Sequence, residues 1–414
     1  MTVGAFAGVP LQDAADRWRA GAVFLLRKPA SGDAVVELNG WTTTVVAGVR
    51  AVVSCGLSTA TDHAGVFSDA LQAANHGLDY MSATGKTHSL IDNAPGDCIV
   101  WWPNSTGGCV MRASIVFSIH GLEVNFSATV TDAAGIVRPP PPAPTPVARD
   151  VFRFMRMAKT SPDLFDAYRN LFLALEYLLD DIHPHQEGGE GQWFKAALAV
   201  ADALIPVSRL APADEADPIE WVYQNVYGDE RSGLMHAKQR RGYLLPQDAA
   251  SRAGLTTSME TLWRYVRDLV EAHLNVRSGE TRWSAYGWAA QIDPVLQQLV
   301  VFVSDDETPL TDSPSPPPTL KETSTTIEQQ PGAPAADPDD PMTRRISGSW
   351  AAQDLRGIQS IRRIGTKEPG VGSVATAWSE LIGPLQLGDS VARFEVVSGI
   401  RCVSRNGPPA LFSS

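Results

Sequence analysis

Ser161-Pro-Asp-Leu-Phe-Asp-Ala-Tyr-Arg-Asn-Leu-Phe-Leu-Ala-Leu-Glu-Tyr-Leu-Leu-Asp-Asp-Ile182 decides the fold class. Ser161 is an N-cap residue, Pro162 belongs to a first turn, and Asp163 carries an acid to the positive end of a helix. Phe165, Tyr168, Phe172, Leu175, Leu179 and Ile182 then alternate spacings of 3 and 4, which lays one apolar stripe along a helix that His183-Pro184 ends. Three more helical segments follow. One is expected from Gln192 to Ile205, with Phe194, Leu198, Ala201 and Leu204 on its face and Pro206 as its stop. The next begins near Pro218, takes in Trp221, Val222, Val226 and Tyr227, and continues past Gly228 to about Arg240. The last spans Thr257–Val276, with Leu262, Val266, Leu269, His273 and Val276 on one side. Stripes joined by short loops predict a four-helix, mostly antiparallel bundle over residues 150–300.

Two linkers set the bundle apart. Residues 139–149 open with a polyproline run, Pro139 to Pro146, which forms a stiff spacer. Residues 304–343 are rich in Pro, Ser, Thr, Asp and Glu and almost empty of large apolar side chains, so the expectation is a disordered acidic linker. The N-terminal segment, 1–138, reads as an α+β domain. Its candidate strands are Ala22–Arg27, Ala34–Leu38, Thr42–Val53, Cys98–Trp102, Val110–His120 and Leu122–Thr131, and a helix over Val66–Ser82 is expected to cover them. Residues 344–414 read as a small β-rich segment, with strands at Leu381–Gly388 and Ser390–Val403 and a helix or strand pair at Trp350–Ile364. They suit extra strands on the N-terminal domain or a partner-binding tail. The fold class is α+β multidomain.

The chain of 414 residues has a net charge of −12, of which nine acids and one lysine in 304–343 supply −8. The remainder is mildly acidic, which disfavours a tight, nonspecific grip on a polyanion but leaves room for a small basic site. No stretch has the length and apolarity of a transmembrane helix, and Met-Thr-Val-Gly-Ala-Phe-Ala-Gly at the start has no basic region before an apolar core. Cys55, Cys98, Cys109 and Cys402 have no Cys-x-x-Cys spacing and fit reduced thiols, so a cytoplasmic location without a structural zinc is expected.

Arg231-Ser-Gly-Leu-Met-His236 is the chemically suggestive stretch, the one Arg-x4-His pair in the chain. A guanidinium stabilises charge developing on a phosphate and an imidazole moves a proton. In a regular helix positions i and i+5 lie about 140° apart, so Gly233 is expected to let the helix start after Arg231. Together with the helical frame, Tyr168-Arg-Asn-Leu-Phe-Leu-Ala-Leu-Glu176 and Glu230-Arg-Ser-Gly-Leu-Met-His-Ala-Lys238 resemble the first and motif helices of the HEPN superfamily of small helical nucleases. Leu244-Leu-Pro-Gln247 is similar to helical proteins named for methylamine utilisation. The resemblance covers about 130 residues and implies an endoribonuclease that uses no metal or other cofactor. It casts His236 as general base or acid and Arg231 as the phosphate ligand. Ser232 takes the polar position after the motif arginine, and Glu176 orients His236 or Arg231. It also implies a homodimer with facing motifs, RNA as substrate, and a toxin or antiviral setting with a protein partner or antitoxin.

The main alternative is a non-catalytic helical dimerisation or binding module beside a β-rich recognition domain. In it Arg231 pairs with Asp229 or Glu230 and His236 packs. Lys238, Arg240 and Arg241 supply local positive charge or complement a helix C-terminus. Trp101-Trp102 suits stacking on a base or sugar, or plain core packing. His183-Pro-His185 lacks a third metal ligand, and Gly85-Lys-Thr87 lacks the upstream glycine and strand of a phosphate-binding loop.

Overall fold

The computed structural model describes residues 2–12, 20–92, 96–120, 148–161, 163–186, 188–235, 243–245, 249–276, 285–307, 320–321, 323–337, 343–369 and 375–403. The chain forms two compact units. One joins Met1–Ile119 to Trp283–Cys402, and the other is built from the intervening His120–Arg282.

The first unit begins with β1 (Gly4–Phe6) and β2 (Val9–Pro10), joined through Ala7 and Gly8, both at positive φ. β3 (Ala20–Leu25) and β4 (Ala34–Leu38) follow. β5 (Trp41–Val45) and β6 (Ala51–Gly56) correct the single strand expected over Thr42–Val53. Asn39-Gly40, at φ 52 and 79, makes the left-handed turn between β4 and β5 that an Asn-Gly pair favours. α1 (His63–Ala83) starts on Asp62, whose side chain accepts from the Gly65 amide, and β7 (Cys98–Pro103) and β8 (Cys109–His120) complete this stretch. The candidate strand Leu122–Thr131 lies outside the described residues, as do Leu381–Ile382 with respect to their side chains.

The second unit contains α2 (Val151–Thr160), α3 (Leu164–Ile182) and α4 (Glu190–Ala201). The helix start expected at Ser161 falls two residues later: Asp163 is the cap, its carboxylate accepting from the amides of Phe165 and Asp166. α5 (Pro218–Val222) runs into a π-helical segment, Tyr223–Arg231, and then into α6 (Ser232–Met235). α7 (Ala249–Leu274) is the longest helix described. The helical unit thus has more than the four helices expected. α2 precedes the first of them, and the third is a composite of α, π and α turns. One core holds it, with Tyr168, Phe172, Leu175 and Leu179 from α3 against Phe194, Leu198, Val226, Leu262, Val266 and Leu269.

The chain then returns to the first unit with α8 (Ala285–Leu296) and β9 (Val300–Ser304). β10 (Thr326–Gln329), β11 (Ala335–Ala336) and β12 (Thr343–Ala351) follow, then β13 (Ile361–Lys367), β14 (Ala375–Leu387) and β15 (Val391–Val403). A six-stranded sheet has the order β10-β9-β13-β14-β1-β2, and a nine-stranded sheet has the order β11-β12-β15-β8-β7-β3-β6-β5-β4. Alternation along the strands sends Ala22, Phe24, Val52 and Val100 to α1, and Val23, Val53, Ile99 and Trp101 to a second core with Val301, Val303, Ile364 and Leu385.

Two expectations about domain layout change. The 344–414 segment is not separate: β12 and β15 continue the nine-stranded sheet from β8, while β14 pairs with β1. Residues 304–343 are not wholly a linker. β10 pairs along β9 from Thr326–Ser304 to Gln329–Val301. Acids expected to solvate this stretch act as local acceptors. Asp305 takes the Thr325 amide at 2.7 Å, and buried Asp306 takes the Lys321 amide while Leu320 packs on Phe302.

Candidate functional site

The candidate site lies within the helical unit, where α3, α4 and the π segment meet. α3 presents Glu176 one turn from the core residue Phe172. α4 brings Glu190 as its first residue, after Gly188-Gly189. The π segment delivers Arg231 as its last residue. A π turn inserts an extra residue per hydrogen-bonded ring and is often associated with a functional position. Here the backbone is helical on both sides of Arg231, so the helix start expected after it does not occur. Ser232 donates its hydroxyl to the Tyr227 carbonyl at 3.1 Å, five residues back, and so supports the wide turn.

Rings and cations alternate along this segment. Tyr223 and Tyr227 stack with centroids 5.4 Å apart, Lys195 sits 4.7 Å over Tyr223, and Arg231 sits 4.9 Å over Tyr227. Gly191 is required by this packing, since a Cβ there would lie 2.5 Å from the Tyr223 hydroxyl oxygen.

The Arg231 guanidinium contacts two carboxylates, Glu190 at 3.1 Å and Glu176 at 3.6 Å. They differ in strength. The Glu176 side chain is 19% exposed and that of Glu190 is 56% exposed, so the Glu190 contact is screened and worth at most about 1 kcal/mol. Burial raises the Glu176 carboxyl above the ordinary carboxylate range, Arg231 opposes the rise, and Glu190 adds to it. The Tyr227 hydroxyl is pushed up to about 12, by burial first and then by its hydrogen bond to Glu190. A cavity of about 590 Å³ opens beside the pair, lined among others by Glu176, Tyr177, Asp180, His185, Glu190 and Trp193. A second, smaller one is lined by Arg169, Glu176, Arg231 and Met235.

Glu230, next to Arg231, points the other way. Its carboxylate accepts from the buried Tyr168 hydroxyl on α3 and from Ser258 on α7 at 2.6 Å. Burial raises its pKa, and the Ser258 and Tyr168 donors hold that rise back. This three-helix link anchors the π segment from beneath.

Of the four residues expected at the site, the structure brings Arg231 and Glu176 together, as the resemblance implied for the first-helix acid. Ser232 is bound to main chain. His236 lies outside the described residues, as do Lys238, Arg240 and Arg241. Arg231 does not pair with Asp229 or Glu230; its partners come from other helices. Sequence reasoning missed Glu190, Tyr227 and the Tyr168–Glu230–Ser258 link. Tyr168 carried the one available signal, because a tyrosine on a core stripe needs a partner for its hydroxyl. Trp101 and Trp102 are buried in two different cores, which is the packing role. Among the described residues no group of three or more His, Cys, Asp or Glu is arranged to hold a metal ion, and no helix is long and apolar enough to cross a membrane. No protein-family model, curated protein or solved structure matches the chain.

Proposed function

We propose that the helical unit is a metal-independent endoribonuclease in which Arg231 binds the scissile phosphate and His236 moves the proton. The observation that carries this reading is the contact of Arg231 with Glu176 across two helices at the edge of a cavity. A half-buried carboxylate fixes the guanidinium, and the exposed Glu190 is the partner an incoming phosphate oxygen displaces. The ribose 2′-oxygen bonds to phosphorus as its proton passes to His236. The bond to the 5′-oxygen breaks and that oxygen takes a proton, leaving a 2′,3′-cyclic end. Ser232 and Glu176 act as positioning residues. A homodimer and a protein partner or antitoxin belong to the same reading.

A second reading is favoured by charge. Glu176, Asp180 and Glu190 line the larger cavity, while Arg231 lines only the smaller one, which suits a non-catalytic recognition module rather than a phosphate site. One experiment separates the two. Purified protein is incubated with RNA in EDTA, beside Arg231→Ala and His236→Ala, with end-group analysis. The nuclease reading requires a 2′,3′-cyclic product that falls about 10²–10⁴-fold in His236→Ala, the range for loss of a general acid or base. Absence of cleavage by the wild type, or equal cleavage by folded His236→Ala, refutes it in favour of the recognition module.

A further inference from the structure

We infer that the outer face of α2 binds the phosphodiester backbone of a single-stranded nucleic acid. Arg153 and Arg156 lie three residues apart on one face of α2, and Arg149, just before the cap residue Asp150, borders the same cavity. All three are exposed and none has an acidic partner among the described residues. Other arginines of the helical unit are committed: Arg169 pairs with Asp166 at 2.9 Å, Arg264 with Glu260 at 3.1 Å, and Arg209 with Asp268 at 3.0 Å. The three guanidinia border a cavity of about 510 Å³ that also contains Asp150, Phe152 and Tyr177. One acid against three arginines leaves a net positive surface on a chain of net charge −12.

Three features single out a nucleic-acid strand. Planar guanidinia in a row fit successive phosphates bidentately. Phe152 and Tyr177, only partly buried against the helical core, line the same cavity and leave ring surface on which unpaired bases stack. Tyr177 also lines the 590 Å³ cavity by Glu176, so the two cavities share one ring. A bilayer is the weaker candidate, because the apolar side of α2 is already occupied: Val151 and Ala158 are buried in the helical core, with Phe152, Phe154 and Met155 packed against it. This site goes beyond the proposed nuclease reading and stands on a different helix.

The test uses the full chain and fluorescent 12-nucleotide strands that cannot be cleaved, one of 2′-O-methyl RNA and one of DNA. Anisotropy is followed over a series of salt concentrations. The wild type should bind at least one of the two. Arg149→Gln/Arg153→Gln/Arg156→Gln should bind about tenfold or more weakly, with the slope of log K against log salt shallower by about 2, as expected for losing three single-strand phosphate contacts. The triple lysine variant keeps the charges and should retain the slope, which guards against a folding artefact. No binding of either strand by the wild type overturns the inference. So does an unchanged slope in the glutamine variant, or binding of anionic phosphatidylserine vesicles alone. Because the strands lack a cleavable 2′-hydroxyl, the result stands whether or not the nuclease reading survives.

Discussion

Replacing Tyr168 by Phe removes one hydroxyl and leaves the ring that fills the core between α3 and α7. Tyr168 is fully buried, and its hydroxyl donates to Glu230, which also accepts from Ser258 at 2.6 Å. The ring stays, so no cavity forms. The loss is one of two donors to a buried carboxylate, about 2 kcal/mol for a hydrogen bond to a charged group. With a urea slope of about 2 kcal/mol/M, the helical signal in circular dichroism should lose its midpoint by about 1 M. Glu230→Gln separates charge from packing. It removes the cost of burying an anion, and in that background Tyr168→Phe should cost about 1 kcal/mol or less, so the two changes are not additive. The pH dependence has a definite sign. Burial raises the folded pKa of Glu230 above its ordinary 4.5, so the stability linked to its proton is fully present below 4.5 and lost as pH rises through the folded value. Acidification from neutrality toward pH 4.5 should therefore stabilise the wild type relative to Glu230→Gln. An unchanged urea midpoint for Tyr168→Phe, or full additivity with Glu230→Gln, would refute the link between α3, α7 and the π segment.

Two further outcomes concern the sandwich unit. Gly21→Ala places a Cβ 2.4 Å from the Trp101 ring and 2.5 Å from the Ser54 carbonyl oxygen, so a loss of about 1–3 kcal/mol from overpacking should appear as a lower Tm. A Tm within error of wild type would mean that β3 has room the geometry denies. His63 is held down to about 4, by burial first and then by Arg112 and Arg345, against an ordinary 6.5. The stability linked to its neutral form is present above pH 6.5 and lost as pH falls toward 4, by up to about 3 kcal/mol. His63→Gln should flatten urea midpoints over that window, and parallel pH profiles for the two proteins would count against the assignment.

How much of this was legible depends on the range of the interaction. Local signals carried well. The stripe from Phe165 to Ile182 gave α3, and Val66, Leu71, Leu78 and Met81 gave α1, because helix periodicity is written within a few turns. The turn at Asn39-Gly40 was equally local and fell between the strands expected to end at Leu38 and begin at Thr42, whereas the break at residues 46–50 between β5 and β6 was passed over. α2 was missed although Val151, Met155 and Ala158 recur at spacings of 4 and 3. Its short, arginine-interrupted stripe gains an apolar face only by packing on α3. The π segment had no reading in a 3.6-residue period. Glu176 beside Arg231 was anticipated by resemblance. Glu190 was not, because it arrives from a helix start 41 residues earlier in the chain and nothing local marks it. The acidic stretch 304–343 was misjudged on composition. β10 needs few apolar side chains, since an edge strand is held chiefly by main-chain hydrogen bonds to β9.

The same distance argument explains why the expected domain at 1–138 fails as an independent unit. β1 pairs with β14 through Gly4–Leu387 to Phe6–Leu385. The clasp continues past the strand: the Gly388 amide donates to the Val3 carbonyl and the Ser390 amide to the Thr2 carbonyl, each at 2.9 Å. β8 in turn has β15 as its outer neighbour in the nine-stranded sheet, and Arg112 on β8 pairs with Glu395 on β15 at 2.7 Å. Each half of the sandwich thus supplies strands that complete the other. An N-terminal fragment would leave β8 with an open edge and β1 paired only with the two-residue β2, which invites association rather than folding. Placing a whole helical unit between β8 and α8 adds little to the cost of closing this fold. The closure entropy grows only logarithmically, about 0.6 kcal/mol per doubling of the loop, and a unit with its own core shortens the effective loop further. That is why a chain can carry Arg231, Glu176 and the α2 arginines on a separately packed insertion without weakening the sheets that flank it in sequence.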